Sequence, residues 1–210
     1  MKRAKIISVL NNKGGVGKST IVTNIAGYFA NKGNKVVIGD FDAQQSSKNW
    51  LSQRPKILAP IHTLEIINGK FVVRDKDVDY IIIDSPAGIH IDFIKKIIRQ
   101  SNKIIVPLKP SFFDMFSTKD FLEKIIEIIN EQGKEIDICL VGNMVVYKTK
   151  ANEQLQKFIE SCGLDNPTMI RQTQIYVNLA AHGLTIFDSK SNFFEKDIEQ
   201  WMPLIKWIEK

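Results

Sequence analysis

Asn11 to Thr20 reads N-N-K-G-G-V-G-K-S-T, and these residue types at this spacing suit one chemistry. Glycines let backbone N–H groups curl round an anion, and a helix N-terminus just beyond adds partial positive charge. Lys18 is placed to reach the outer phosphates of a nucleotide, and the Ser19 hydroxyl to ligate Mg²⁺. The candidate nucleotide-binding residues are Lys13, Gly14, Gly15, Val16, Gly17, Lys18, Ser19 and Thr20. The spacing G-x-x-x-x-G-K-[ST] is not quite met. Counting back from Gly17, the first glycine falls on Asn12, and Lys13-Gly14 follow it.

Phosphoryl transfer also needs a metal to absorb charge and a group that orients the attacking water. Asp84 closes the apolar run Val78 to Ile83, so a buried strand would deliver its carboxylate to the Mg²⁺ shell, acting with Ser19. Ser85 follows it, where many phosphate-loop ATPases carry their base. Asp42, in Asp40-Phe41-Asp42-Ala43-Gln44 at the end of another strand, is the candidate to position water, with Asp40 supporting it or the metal. Both aspartates also suit capping of the following helix. One base acting through one water predicts turnover well below the roughly 10 per second typical of enzymes. Asp84-Ser85-Pro86-Ala87-Gly88 is a candidate switch, because Gly88 permits a backbone flip. An ordinary Pro-Gly turn fits the same residues.

The elements that must position these groups follow from hydrophobic periodicity. Apolar runs at Ile6–Leu10, Val36–Asp40, Val78–Asp84, Lys103–Pro107 and Ile136–Asn143 predict buried strands. Thr168–Arg171 predicts a short edge strand. Helices are expected after the phosphate loop and from Ile91, where Ile91, Ile94, Ile97 and Ile98 share a face, and a short helix or turn at Ser46–Leu51. A helix over 117–130 turns Phe121, Leu122, Ile125, Ile126 and Ile129 inward. Another over 151–162 buries Leu155, Phe158 and Ile159, and a last one from Phe193 buries Ile198, Trp201, Ile205 and Ile208. Residues 53–79 are the least legible; Asn68-Gly69 between two apolar runs signals a hairpin, and a strand with a helical turn competes. Alternating strands and helices predict a three-layer, doubly wound α/β fold, a mostly parallel sheet with helices on both faces. Ligands in such sheets bind at the carboxyl ends of strands, where the loop, Asp42 and Asp84 all fall. The 210 residues read as a single domain.

Composition narrows the class. The chain is 44% hydrophobic and 25% charged, ordinary globular values, and no apolar run reaches the ~18 residues of a spanning helix. A cytoplasmic protein is expected. Cys139 and Cys162 are too few and too far apart for a metal site and are expected as buried thiols. His62, His90 and His182 are isolated and receive no chemistry. Residues 1–60 carry 10 Lys and Arg against 2 Asp and Glu, whereas 61–210 carry 19 against 21. The net charge of +6 is thus front-loaded, compatible with nucleic acid as a partner.

The chain resembles the ParA/MinD group of ATPases, whose phosphate loop is the deviant Walker A motif. Within it the likeness is to ParA-family partition ATPases of the short ParF-like kind. The resemblance is carried by K-G-G-V-G-K-S-T (Lys13 to Thr20), D-F-D-A-Q (Asp40 to Gln44), D-Y-I-I-I-D-S-P-A-G (Asp79 to Gly88) and V-P-L-K-P-S-x-x-D (Val106 to Asp114), with a weaker match over Ile170 to Asp188. It implies an ATP- and Mg²⁺-dependent sandwich homodimer in which each Lys13 crosses to the other subunit's nucleotide. It further implies nonspecific DNA binding by that dimer on the nucleoid. A centromere-binding protein of ParB or ribbon-helix-helix type would stimulate hydrolysis, and cycles of binding and release would segregate DNA.

Two departures stand out: Ala43 replaces the family's proline, and Gly142-Asn143-Met144 falls where many relatives carry a basic residue. Asn143 suits the adenine edge or a strand-end turn. Lys148, Lys150 and Lys157 are candidate DNA contacts or a solvated face, and Arg171 matches a basic position of the family. A MinD-like membrane ATPase, or a positioning ATPase for cargo other than DNA, is the alternative. The tail Asp197–Lys210 lacks the cationic face that anionic lipid attracts, so no membrane partner is expected. A metabolic or metal-handling relative would carry paired interface cysteines, which Cys139 and Cys162 do not resemble.

Overall fold

In the computed structural model, residues 4–67, 70–72, 77–164, 168–189 and 191–210 are described. The strands are β1 (Lys5–Val9), β2 (Val36–Asp40), β3 (Ile61–Thr63), β4 (Glu65–Ile67), β5 (Lys70–Val72), β6 (Tyr80–Asp84), β7 (Lys103–Leu108), β8 (Asp137–Val145) and β9 (Thr168–Arg171). The helices are α1 (Lys18–Asn31), α2 (Ser46–Gln53), α3 (Ile91–Gln100), α4 (Phe112–Glu131), α5 (Lys150–Ser161), α6 (Ile175–Ala180) and α7 (Glu195–Glu209), the last preceded by a 3₁₀ turn at Asn192–Phe194.

Seven strands form one sheet in the order β3-β2-β6-β1-β7-β8-β9, and each neighbouring pair is parallel. Parallel strands must be covered on both faces, which is why their sequences are near-continuous apolar runs. Alternate residues serve opposite layers: Ile105, Cys139 and Val141 join one core with α1, Trp50 of α2, and α7. Ile104, Val106 and Leu140 join the other with α3, α4 and α5. The doubly wound, three-layer expectation therefore holds. β1 lies between β6 and β7, where successive crossovers depart in opposite directions, and this opens a crevice at its carboxyl end.

β4 and β5 pair antiparallel, Glu65 with Val72 and Ile67 with Lys70, so the hairpin signal agrees with the pairing; the turn at Asn68-Gly69 lies outside the described residues. Sequence periodicity missed β3 and α6, three and six residues long, too short to show a period. It also started α4 five residues late. Phe112, Phe113 and Phe116 are 70%, 74% and 63% exposed, so the first turn of α4 lacks an apolar stripe. Two residues expected inward face out, Ile91 at 41% and Ile126 at 42% exposure. On α4 the buried stripe runs Phe121, Leu122, Ile125, Ile128, Ile129. Ile126, four residues after Leu122, lies about 40° beyond that edge of the stripe at 100° per residue, and Ile128 takes the inward place.

Cys139 is buried in β8 and Cys162 is half-buried, and neither forms a disulfide. Burial pushes the Cys139 thiol up to about 12. Among the described residues no helix is long and apolar enough to cross a membrane, and no cluster of His, Cys, Asp and Glu could hold a metal ion by itself.

Candidate nucleotide site

The loop between β1 and α1 is fastened from two sides. Asn11 is fully buried; its Nδ2 donates to Pro107 O at 2.7 Å and Thr118 Oγ1 at 3.1 Å, and its Oδ1 accepts from Lys13 N at 2.9 Å. From the other side Asn143 Nδ2 donates to Val16 O at 2.8 Å. Gly15 and Gly17 hold φ of 71° and 89°, left-handed values that glycine alone adopts cheaply. At Gly17 a Cβ would also come within 2.0 Å of Asn143 Nδ2, so the amide and the missing side chain are one fitted pair. The structure thus places Asn143 against the phosphate loop, with its Nδ2 engaged there.

Lys18 opens α1 and is 7% exposed. Its Nζ donates to Lys13 O at 3.1 Å, curling over the cradle. Burial pushes its pKa down, against the pull of Asp84 and Asp42. Ser19 and Thr20 beside it are half-buried, and Lys13 is exposed on the loop.

Asp84, at the end of β6, is fully buried. Its register partners are Val9 on β1 and Asp40 on β2, so three strand ends lie side by side. Burial raises its pKa to about 6, while the Ser47 and Ser19 hydroxyls pull the other way. Oδ2 accepts from Ser47 Oγ; Oδ1 has no hydrogen-bond partner among the described residues. A buried carboxylate oxygen left unpaired beside a hydroxyl and a lysine is costly by itself. It suits a hard divalent cation, which takes such oxygen ligands. Ser19 and Asp84 therefore fit a Mg²⁺ ion.

Asp42 Oδ1 accepts from Gln44 N at 2.9 Å and Oδ2 from Ala87 N at 3.3 Å. Gly88, at φ 65°, donates its N–H to Asn12 O at 3.0 Å. The turn Ser85-Pro86-Ala87-Gly88 is thus bonded to Asp42 on one side and to the phosphate loop on the other. Asp40 is spent on backbone: Oδ1 accepts from Asp42 N and Oδ2 from Lys48 N, both at 3.0 Å. Of its two expected roles, the geometry gives it support of Asp42 rather than of the metal, together with capping of α2.

The basic candidates separate. Lys148, at φ 61°, Lys150 and Lys157 are exposed, and the last two stand two turns apart on α5. Arg171 differs from the expectation: its Nε and Nη2 bond the two oxygens of Asp197 at 2.7 and 2.8 Å. Asp197 is fully buried, so the guanidinium is committed to pinning β9 to α7. Sequence reasoning assigned no part to Asn11 or Ser47. Ser47 is a serine just after two strand-end aspartates, at the start of a helix, and nothing in that setting marks it apart from Ser46.

Three comparisons bear on this site. The family described as "CobQ/CobB/MinD/ParA nucleotide binding domain" matches residues 7–186. Maintenance of carboxysome distribution protein A of Halothiobacillus neapolitanus is 26% identical over 193 residues, 88% of each chain. Among solved structures, a plasmid partition protein of Borrelia burgdorferi bound to AMPPNP superposes with a TM-score of 0.75 at 17% identity, covering 98% of this chain and 100% of that one. Apo McdA from Cyanothece gives 0.75 at 15% identity, covering 99% and 100%.

Proposed function

The chain belongs to the CobQ/CobB/MinD/ParA nucleotide-binding family, and from that premise we propose that it is a positioning ATPase of the ParA kind, a single domain that cycles between ATP-bound and released states. ATP and Mg²⁺ are its cofactors. The observation that carries this reading is the loop K-G-G-V-G-K-S-T, whose buried Lys18 and exposed Lys13 stand at the carboxyl ends of the inner strands, where Asp84 also lies.

In this reading the amides of Gly14 to Thr20 and the Lys18 ammonium hold the phosphates. Ser19 and Asp84 hold Mg²⁺, which when bound offsets charge on the phosphate oxygens. Asp42, oriented by its bonds to Gln44 N and Ala87 N, takes the proton side of the attacking water. The turn 84–88, tied to both Asp42 and the loop, carries nucleotide state outward. Two such sites face to face in a homodimer would repel unless cations lay between them, and Lys13 is the cation free of the cradle to supply that. The dimer binds DNA without reading sequence, through exposed lysines such as Lys148, Lys150 and Lys157. A partner of ParB or ribbon-helix-helix type stimulates a slow hydrolysis that resets the cycle on the nucleoid. The apolar residues of α7, Trp201, Leu204, Ile205, Trp207 and Ile208, are buried in the core. That favours DNA over a membrane as the matrix.

A second reading differs only in cargo. The likeness to a carboxysome distribution protein along 88% of the chain favours a protein body carried over the nucleoid, in place of a plasmid or chromosome. A DNA shift assay with ATP, ADP and no nucleotide tests the shared mechanism: binding with ATP alone is expected, and binding indifferent to nucleotide would overturn it. Stimulation of hydrolysis by a DNA-bound centromere protein, or by an adaptor on a protein body, then decides the cargo.

A further inference from the structure

Ser47 is fully buried on the first turn of α2, yet its hydroxyl makes no capping bond to that helix. It leaves its own helix and donates to Asp84 Oδ2, 37 residues along the chain. The other oxygen of the same carboxylate has no hydrogen-bond partner among the described residues. A carboxylate with one oxygen held and one open has a fixed rotamer and a fixed open direction.

The element carrying Ser47 is itself bracketed. At its start Asp40 Oδ2 accepts from Lys48 N. In its middle Trp50 Nε1 donates to Leu184 O at 3.3 Å. At its end Arg54 forks onto both oxygens of Asp188 at 2.9 and 2.8 Å, in a pair whose side chains are 4% and 2% exposed. A helix held at three points presents one hydroxyl at one place.

We propose that Ser47 is a positioning residue for the divalent cation of the nucleotide site. By holding one oxygen of Asp84 it keeps the other aimed at the ion beside Ser19. Groups that orient a metal ligand in this way are typically worth 10- to 100-fold in metal affinity or activity. The inference rests on the reading of this site as a nucleotide site, and its test separates the two.

Binding of a fluorescent ADP analogue is measured in wild type, Ser47→Ala and Ser47→Thr, first in EDTA and then with Mg²⁺ titrated in. Ser47→Ala is expected to leave affinity in EDTA unchanged, because the loop and Lys18 are untouched. It should raise the Mg²⁺ midpoint roughly tenfold or more, and Ser47→Thr, which keeps the hydroxyl, should restore it. In an Asp84→Asn background the alanine change should add nothing, since both act through one carboxylate. An unchanged Mg²⁺ midpoint in a folded Ser47→Ala protein overturns the proposal. Should the alanine variant fail to fold, Ser47→Cys decides, because a thiol is only a weak donor: a raised midpoint supports the role and a wild-type one removes it. Failure of the wild type to bind the analogue under any condition sinks the nucleotide reading itself.

Discussion

Burial is the largest influence on Asp84, raising its pKa from 3.8 to about 6 ahead of the hydroxyls of Ser47 and Ser19 that lower it. Between those values the folded chain binds more protons than the unfolded chain, so stability falls as pH rises through the window. At pH 7, without metal, the ionised group costs about 3 kcal/mol, from a shift of roughly two units at 1.36 kcal/mol each. Asp84→Asn, which can still accept from Ser47, is therefore expected to stabilise the metal-free protein by up to about 3 kcal/mol at pH 7.5 and by nothing near pH 4. Urea unfolding in EDTA at the two pH values measures it; equal stability of variant and wild type at pH 7.5 would contradict the assignment. Asp84 was legible from its strand-end position together with the phosphate loop. Ser47 was not, because nothing in its neighbours shows that the hydroxyl crosses to another strand. Asp40 looked like Asp42 in sequence, and each carboxylate accepts two backbone N–H bonds. What separates them is where the bonds come from, Asp42 N and Lys48 N for Asp40, but Ala87 N of the turn after β6 for Asp42.

At the scale of elements, β9 and α7 are joined by a single charged contact. Arg171→Met would leave Asp197 fully buried without its bidentate partner. Because water already reaches the 37%-exposed guanidinium, the cost is below the roughly 3 kcal/mol of a fully buried pair and on the order of 1 to 2 kcal/mol. Thermal or chemical unfolding should show that loss, while DNA affinity of the remaining folded protein stays unchanged. A stable variant with impaired DNA binding would return Arg171 to the surface role. A basic residue at the end of a strand looks the same in sequence whether it faces solvent or a buried carboxylate 26 residues on. Strands longer than four residues were legible because each is buried on both faces. The inward face of α4 was read one residue off, since Ile125, Ile126, Ile128 and Ile129 offer more isoleucines than the stripe needs.

For the whole molecule the question is how two copies meet. Lys18→Ala removes the phosphate clamp, so nucleotide binding should vanish. Lys13→Ala should keep nucleotide binding but elute as a monomer with ATP in size-exclusion chromatography. Asp42→Ala should elute as a dimer that does not turn over; a monomer there would count against its role in positioning water. Reversing charge at Lys150 and Lys157 should weaken DNA binding across all sequences and flatten its salt dependence by about one unit of slope per lysine, with stability untouched. Doubly wound topology was readable from the alternation of elements, and so was the convergence of the loop with Asp42 and Asp84. Strand order was not, because β6 enters between β1 and β2, a choice made by packing and not by any local pattern.

The two cysteines sit differently enough to serve as probes of motion. With its thiol raised to about 12 and sealed in β8, Cys139 should ignore an alkylating reagent for as long as β8 stays packed between β7 and β9, while half-buried Cys162 reacts early. Slow labelling at Cys139 then becomes a clock for rare openings of that side of the sheet, and a bound nucleotide, held by the loop that Asn143 of β8 fastens, should make that clock run slower.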